Sequence, residues 1–210
     1  IPDAGWTPEM LAGLAPGLLP ESQFARRLAE AGFLVVVPVL IDREDTFSGK
    51  EGVRFTNQPH REFIYRMAYE MGRHIIGYEV QKVLALVDWF AASEPRRPAG
   101  VIGYGEGGLL ALYSAALDER INAAVVSGYF APREDVWRQP IYRNVWSQLE
   151  TLGDAELAGL AAPRTLIIEA SPHPDVPGPP PEREGRRGAA PGGITTPRIE
   201  IVRAEFERAR

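Results

Sequence analysis

The stretch Gly103-Tyr104-Gly105-Glu106-Gly107-Gly108 carries the spacing that points most directly to chemistry. It stands between a short strand pattern, Val101-Ile102-Gly103, and a helical pattern from Gly107 to Leu117. A nucleophile held on a sharp strand-to-helix turn needs glycine two residues before it and two after, because side chains at those places would collide. Gly103 and Gly107 meet that need around position 105, and Gly108 extends the pattern. The place that should hold Ser, Cys or Asp holds Gly105, which has no atom able to attack a substrate.

Two other readings of this stretch stay open. Gly103, Gly105 and Gly108 also satisfy Gly-x-Gly-x-x-Gly, a dinucleotide fingerprint. That motif should open the first strand-helix-strand unit and be followed by an acid at the end of the next strand. Here a strand and two helices precede it, and the next strand ends in Ser127-Gly128-Tyr129. The plainest reading is a turn in which glycine permits left-handed backbone and close helix–strand approach. Glu106 as a carboxylate nucleophile is one residue out of register with the apex, so its side chain should point elsewhere.

Acyl transfer through serine also needs a histidine and an acid that orients it. The chain has three histidines, His60, His74 and His173. His60 and His74 fall in helical sequence and read as packing or hydrogen-bonding residues. Without a His-x-x-x-His spacing, no metal site is expected, and no cofactor is implied. Ser127 reads as a hydrogen-bonded serine at a strand end. Arg183, Arg186 and Arg187 could form a site for a substrate carboxylate, since arginine binds carboxylates bidentately. The reading favoured by the sequence is a solvated loop in which Glu182 and Glu184 balance them.

The elements that would position these residues alternate between helix and strand. Ser22–Ala31 has helical spacing at Phe24, Leu28 and Ala31, with Gly32 as a stop. Phe33–Leu40 is an apolar, β-branched run that reads as a buried parallel strand, with Pro38 near its end. Ile41–Pro59 is loop-like. Arg61–Ser93 reads as helix, in two pieces around Gly72 or Gly77, burying Ile76, Val80, Val83, Leu84 and Val87. Ala123–Ser127 and Thr165–Glu169 are further strands, and Val136–Gly159 is helical in part. Ser171–Pro197 is a long Pro/Gly-rich loop, and Thr196-Pro197 has the chemistry to start a last helix through Arg210. This order implies one domain over residues 1–210, an α/β fold whose mostly parallel sheet has helices on both faces.

Composition sets outer limits. A length of 210 residues suffices for one full core, and 45% apolar with 24% charged residues is ordinary for a soluble globular chain. A net charge of −5 argues against a general nucleic-acid binder. No run approaches the ~18 apolar residues of a membrane span. The absence of cysteine excludes disulfides and thiolate metal sites but leaves the compartment open. Ile1–Trp6 shows no signal-peptide pattern, and a fragment or processed chain is the favoured expectation.

Phe24–Gly32, His60-Arg61-Glu62, Gly72–Val80 and Ala162–Glu169, in this order and spacing, resemble the dienelactone hydrolase and acetyl xylan esterase-like branch of the α/β-hydrolases. The resemblance implies that Ile1–Trp6, through Gly5 and Trp6, is the loop supplying one oxyanion-hole N–H. Glu106 would supply the second through its backbone, and Gly103, Gly107 and Gly108 would frame a nucleophile elbow vacant at Gly105. The family acid lies in a loop after the strand matching Thr165–Glu169, commonly as Asp-x-x-Val-Pro. Here His173 stands where that Asp is usual, leaving Glu169 or Asp175 as substitutes against the plainer readings of a strand-end Glu and a solvated Asp. The family histidine would lie after one further strand beyond Arg210, which makes the core incomplete at the C-terminus. The expected protein is therefore an ester-hydrolase relative, non-canonical or catalytically silent. The alternatives are a working esterase with an unrecognised nucleophile, or a dinucleotide-binding protein. A small ester or carboxylate ligand is expected, and a flanking segment or subunit should cover an unfinished sheet edge.

Overall fold

The computed structural model describes residues 1–46, 49–50, 53–54, 56–183 and 185–210, with backbone alone at 49–50 and 53–54. Glu184 and parts of the Ile41–Pro59 loop lie outside the described residues. In chain order the elements are α1 (Pro8–Leu11), α2 (Phe24–Glu30), β1 (Gly49–Lys50), β2 (Val53–Arg54), α3 (His60–Glu70), α4 (Ile75–Ser93), β3 (Ala99–Tyr104), α5 (Glu106–Leu117), β4 (Ile121–Ser127), α6 (Asp154–Ala161), β5 (Thr165–Glu169) and α7 (Ile199–Arg208).

β3, β4 and β5 form a parallel sheet in that order, with Gly103 opposite Val126 and Val126 opposite Ile168. One face is dry, with Ala124 and Val126 almost fully buried. α5 packs against β3 and β4 and is buried from Glu106 to Ala115. That explains a helix apolar on all sides, with Leu109, Leu110, Ala111 and Leu112 in the centre of the core. β1 and β2 form a separate antiparallel pair.

The helical region before β3 breaks at Gly72, whose φ of 64° suits glycine, while Gly77 lies inside α4. Ile76, Val80, Val83 and Val87 are buried as their spacing requires. His74 caps α4: its Nδ1 accepts the Ile76 N–H at 3.0 Å and its Nε2 meets the Asn144 carbonyl at 3.1 Å. The region after β4 holds three short 3₁₀ turns before α6.

Phe33–Leu40 is not a strand. It has no ladder partner among the described residues, and Phe33, Leu34 and Val39 are at least half exposed. The sequence carries strand composition there, but strands exist only in pairs, and no described strand forms a ladder with this segment. Residues 33–38 form one wall of an apolar groove of about 570 Å³ whose opposite wall includes β3. At the end of that groove Ile1 pairs with β3 as a parallel strand would, its nitrogen donating to the Ile102 carbonyl at 2.6 Å and its carbonyl accepting from Tyr104 N–H at 3.3 Å. The final helix also starts later than expected. Arg198 is its N-terminal flanking residue, because the Thr196 hydroxyl accepts from His173 N–H at 3.0 Å instead.

Candidate functional site

Gly105 joins β3 to α5 with φ 60° and ψ −118°. The turn is tight enough that a Cβ on Gly103 would stand 1.9 Å from the Gly107 carbonyl oxygen. Gly103 is therefore required by backbone approach across the turn, and Gly107 by the Ile1–Pro2 backbone, whose Ile1 carbonyl oxygen would lie 2.3 Å from a Cβ there.

The space in front of Gly105 is filled by the carboxylate of Asp3. Its Oδ1 accepts the backbone N–H of Glu106 at 3.0 Å, and its Oδ2 accepts that of Gly5 at 2.9 Å. Arg43 faces both oxygens, with Nη2 donating to Oδ1 at 2.9 Å and Nη1 donating to Oδ2. Trp6 N–H is engaged elsewhere, donating to the Asp3 carbonyl at 3.0 Å. Burial opposes the charge of Asp3, yet its pKa lies below the usual value because the Arg43 hydrogen bonds and charge outweigh burial and the repulsion from Glu106.

Behind this carboxylate lies a buried lattice of charges. Glu106 Oε1 accepts from Arg143 Nε at 2.7 Å and from Arg43 Nη2 at 3.3 Å, and its Oε2 stands 3.8 Å from Arg61. Arg61 donates to both oxygens of Glu79 at 2.9 and 2.8 Å and lies over the Tyr142 ring. Burial works against the Glu106 charge, but Arg143, Arg61 and Arg43 hold its pKa down at about 2. The Glu106 side chain thus points away from the turn's front, as its register requires, and anchors arginines.

A cleft of about 450 Å³ opens beside Asp3 and Arg43, walled by Trp6, Tyr104, His173, Pro174 and Asp175. Trp6 stacks on Tyr104 at 4.6 Å. His173 is held down at about pKa 4 by burial and then by the charges of Arg143 and Arg133, so it is neutral at pH 7.

The profile of the dienelactone hydrolase family matches residues 16–140, more than half of the chain. The chain belongs to the dienelactone hydrolase family. A crystal structure of a candidate acetyl xylan esterase from Bacteroides fragilis NCTC 9343 is similar at a TM-score of 0.62 and 19% identity, over 80% of this chain and 49% of that one. At that identity the likeness concerns the fold, and the chain spans about half the length of that solved structure. No curated protein matches the sequence. No described helix is long and apolar enough to cross a membrane.

Within this dienelactone hydrolase family chain, the structure brings Gly105, Glu106, Gly5 and Trp6 to one place, with Asp175 on the rim of the cleft. Glu169 is exposed at the end of β5. Ser127 Oγ shares a hydrogen bond with Ser171 Oγ at 2.7 Å, and His60 Nδ1 contacts Asp42 at 2.7 Å. The arginine loop differs from its expected balance. Arg183 pairs with Asp45 at 2.5 Å, and buried Arg186 donates to the Thr56 carbonyl at 2.8 Å, while Arg187 and Glu182 are exposed. Among the described residues no acidic and histidine groups cluster as metal ligands would. Sequence reasoning missed Asp3, Arg43, Arg61 and Arg143. The signal that could have found Asp3 is an acid inside the very loop assigned to the oxyanion hole, paired with a glycine at the apex.

Proposed function

We propose that this chain is an ester-hydrolase-type protein that no longer performs acyl transfer through an elbow nucleophile, and that it acts as a binding or scaffold module. The observation that carries this reading is the Asp3 carboxylate, which takes the N–H groups of both Gly5 and Glu106. In a working site such donors would face a developing oxyanion, and losing one costs about 10²–10³ in rate. Gly105 adds no nucleophilic oxygen, and His173, the histidine lining the cleft, is a weak base with a pKa of about 4.

The cleft beside Trp6 and Tyr104 is the proposed seat of a small ester or carboxylate ligand. A flanking segment or subunit is proposed to cover the apolar groove along β3. The dinucleotide reading draws no support here, since the first N–H of α5, where a phosphate would sit, donates to Asp3 instead.

The deciding experiment exposes the protein to a fluorophosphonate probe and to p-nitrophenyl acetate. The expected result is no covalent label, no burst and no turnover above buffer. Hydrolysis at ordinary enzymatic rates, with an adduct mapped to a residue of this chain, would establish the rival reading of an esterase with another nucleophile. An adduct on Asp3 would name it.

A further inference from the structure

We infer that the pocket in front of Gly105 is a complete receptor for a small monocarboxylate, and that Asp3 is its tethered resident ligand. The inference rests on the reading of this pocket given above. Its basis is the way the donors are shared out. An oxyanion is a single oxygen, and a site built for one would aim both N–H groups at one atom. Here each carboxylate oxygen receives one backbone N–H and one guanidinium nitrogen: Glu106 N–H and Arg43 Nη2 at Oδ1, Gly5 N–H and Arg43 Nη1 at Oδ2. Four donors, two per oxygen, with one balancing positive charge, match a carboxylate and no neutral carbonyl.

The receptor does not depend on Asp3 for its shape. Gly5 and Glu106 offer backbone N–H groups fixed by the turn and by the start of α5. Arg43 has two further partners, the Tyr142 hydroxyl at 3.2 Å and Glu106 Oε1 at 3.3 Å. Its guanidinium therefore keeps its place when Asp3 is shortened. Room for the carboxylate comes from Gly105, where a Cβ would stand 2.3 Å from Oδ1 and 2.5 Å from Pro174 Cγ. The adjoining cleft offers a path for a free ligand to enter.

Size selectivity follows from the tether. The Asp3 side chain is a methylene bearing a carboxylate, the same heavy atoms as acetate. Asp3→Gly removes all of them and should leave a space shaped for acetate. Asp3→Ala keeps Cβ and should leave a space shaped for formate.

The test compares thermal unfolding and calorimetric titration of wild type, Asp3→Gly and Asp3→Ala in sodium chloride, formate, acetate and phosphate at equal ionic strength. Formate should raise the midpoint of Asp3→Ala by several degrees over chloride and bind roughly tenfold more tightly than acetate, whose methyl would meet the Cβ that this variant keeps. Acetate should serve Asp3→Gly at least as well as formate. Wild type, whose pocket in front of Gly105 is filled by Asp3, should respond to formate and acetate far less than either variant, and adding Arg43→Met to Asp3→Ala should abolish the formate response. Equal responses to chloride, phosphate and carboxylates would overturn the inference, as would equal responses of variant and wild type. Variants that stay unfolded in all four salts would also overturn it, because a ligand of the native state pulls folding by mass action. The esterase assay on wild type is a separate measurement, so failure of the receptor and failure of the silent-hydrolase reading can be told apart.

Discussion

The carboxylate of Asp3 stands where a side chain at position 105 would have to go: a Cβ on Gly105 would lie 2.3 Å from Oδ1 of Asp3. The glycine at the apex and the acid in the loop are two halves of one arrangement. Neither residue can be changed without the other feeling it.

Gly105→Ser should therefore destabilise the fold rather than supply a nucleophile. The substitution forces a Cβ into the Asp3 carboxylate and onto a backbone at φ 60°. Together these should cost about 2–4 kcal/mol. Asp3→Ala removes the collision with the carboxylate, but neither the contact with Pro174 Cγ, 2.5 Å from that Cβ, nor the backbone strain. The double variant Asp3→Ala/Gly105→Ser should thus lose at least ~1 kcal/mol less than the two single losses added, as expected of residues in contact. Urea unfolding of the four proteins measures this coupling, and strict additivity would mean that the two residues do not share the space.

Arg43→Met tests the charge balance. Asp3 is nearly buried, and Arg43 is the cation that faces both of its oxygens. Removing that partner leaves a buried carboxylate with only backbone donors, at a cost of about 3–5 kcal/mol. Asp3→Asn in the same background removes the stranded charge, so Asp3→Asn/Arg43→Met should be more stable at pH 7 than Arg43→Met alone. Chemical denaturation of the pair decides the sign.

Hydrogen exchange tests the unpaired run before the helices. The amides of Val35, Val36 and Val37 have no ladder partner among the described residues, whereas β4 is paired on both sides by β3 and β5. Amides of Val125 and Val126 should exchange at least ~100-fold more slowly than those of Val35–Val37. A protein with the groove along β3 covered should close this gap. Equal protection of both segments in the chain by itself would contradict the fold described.

The contrast between these segments explains what could be read from sequence. The helix α4 was legible because Ile76, Val80, Val83 and Val87 repeat at helical spacing, and the glycine turn was legible because steric need fixes Gly103 and Gly107. Phe33–Leu40 has strand composition, but pairing depends on a neighbour that composition does not reveal. The site was half legible for the same reason. Gly105 is legible as the apex of the turn, yet the ion pair of Asp3 and Arg43 joins residues 40 apart in the chain, and Arg61 and Arg143 are side chains that sequence statistics place in solvent. Their burial is set by Glu79 and Glu106, which meet them only in the folded state.

Asp154 gives a pH dependence opposite to that of Glu106. Asp154 opens α6, fully buried, with its Oδ1 accepting from the Tyr129 hydroxyl at 2.9 Å and its Oδ2 accepting from Ala131 N–H at 3.3 Å. Burial pushes its pKa up to about 6 from 3.8, against the pull of Arg133, Tyr129 and Ala131. The folded state therefore holds this proton more tightly than the unfolded chain. Stability from this group is greatest below pH ~4, falls as pH rises toward 6, and is flat above that. The whole change is about 3 kcal/mol, since each tenfold gain in proton affinity on folding is worth ~1.4 kcal/mol. Glu106, held at about 2 against an ordinary 4.5, does the reverse: its contribution is full above pH 4.5 and drains away as pH falls toward 2. Between pH 4.5 and 6 the Asp154 slope is thus free of the Glu106 slope. Asp154→Asn costs a fixed amount through its altered hydrogen bonds, but it cannot titrate. Urea unfolding at pH 4.5, 5.5 and 7 should show wild type losing stability relative to Asp154→Asn as pH rises. A difference between the two proteins that stays constant over this range would show that Asp154 titrates outside it.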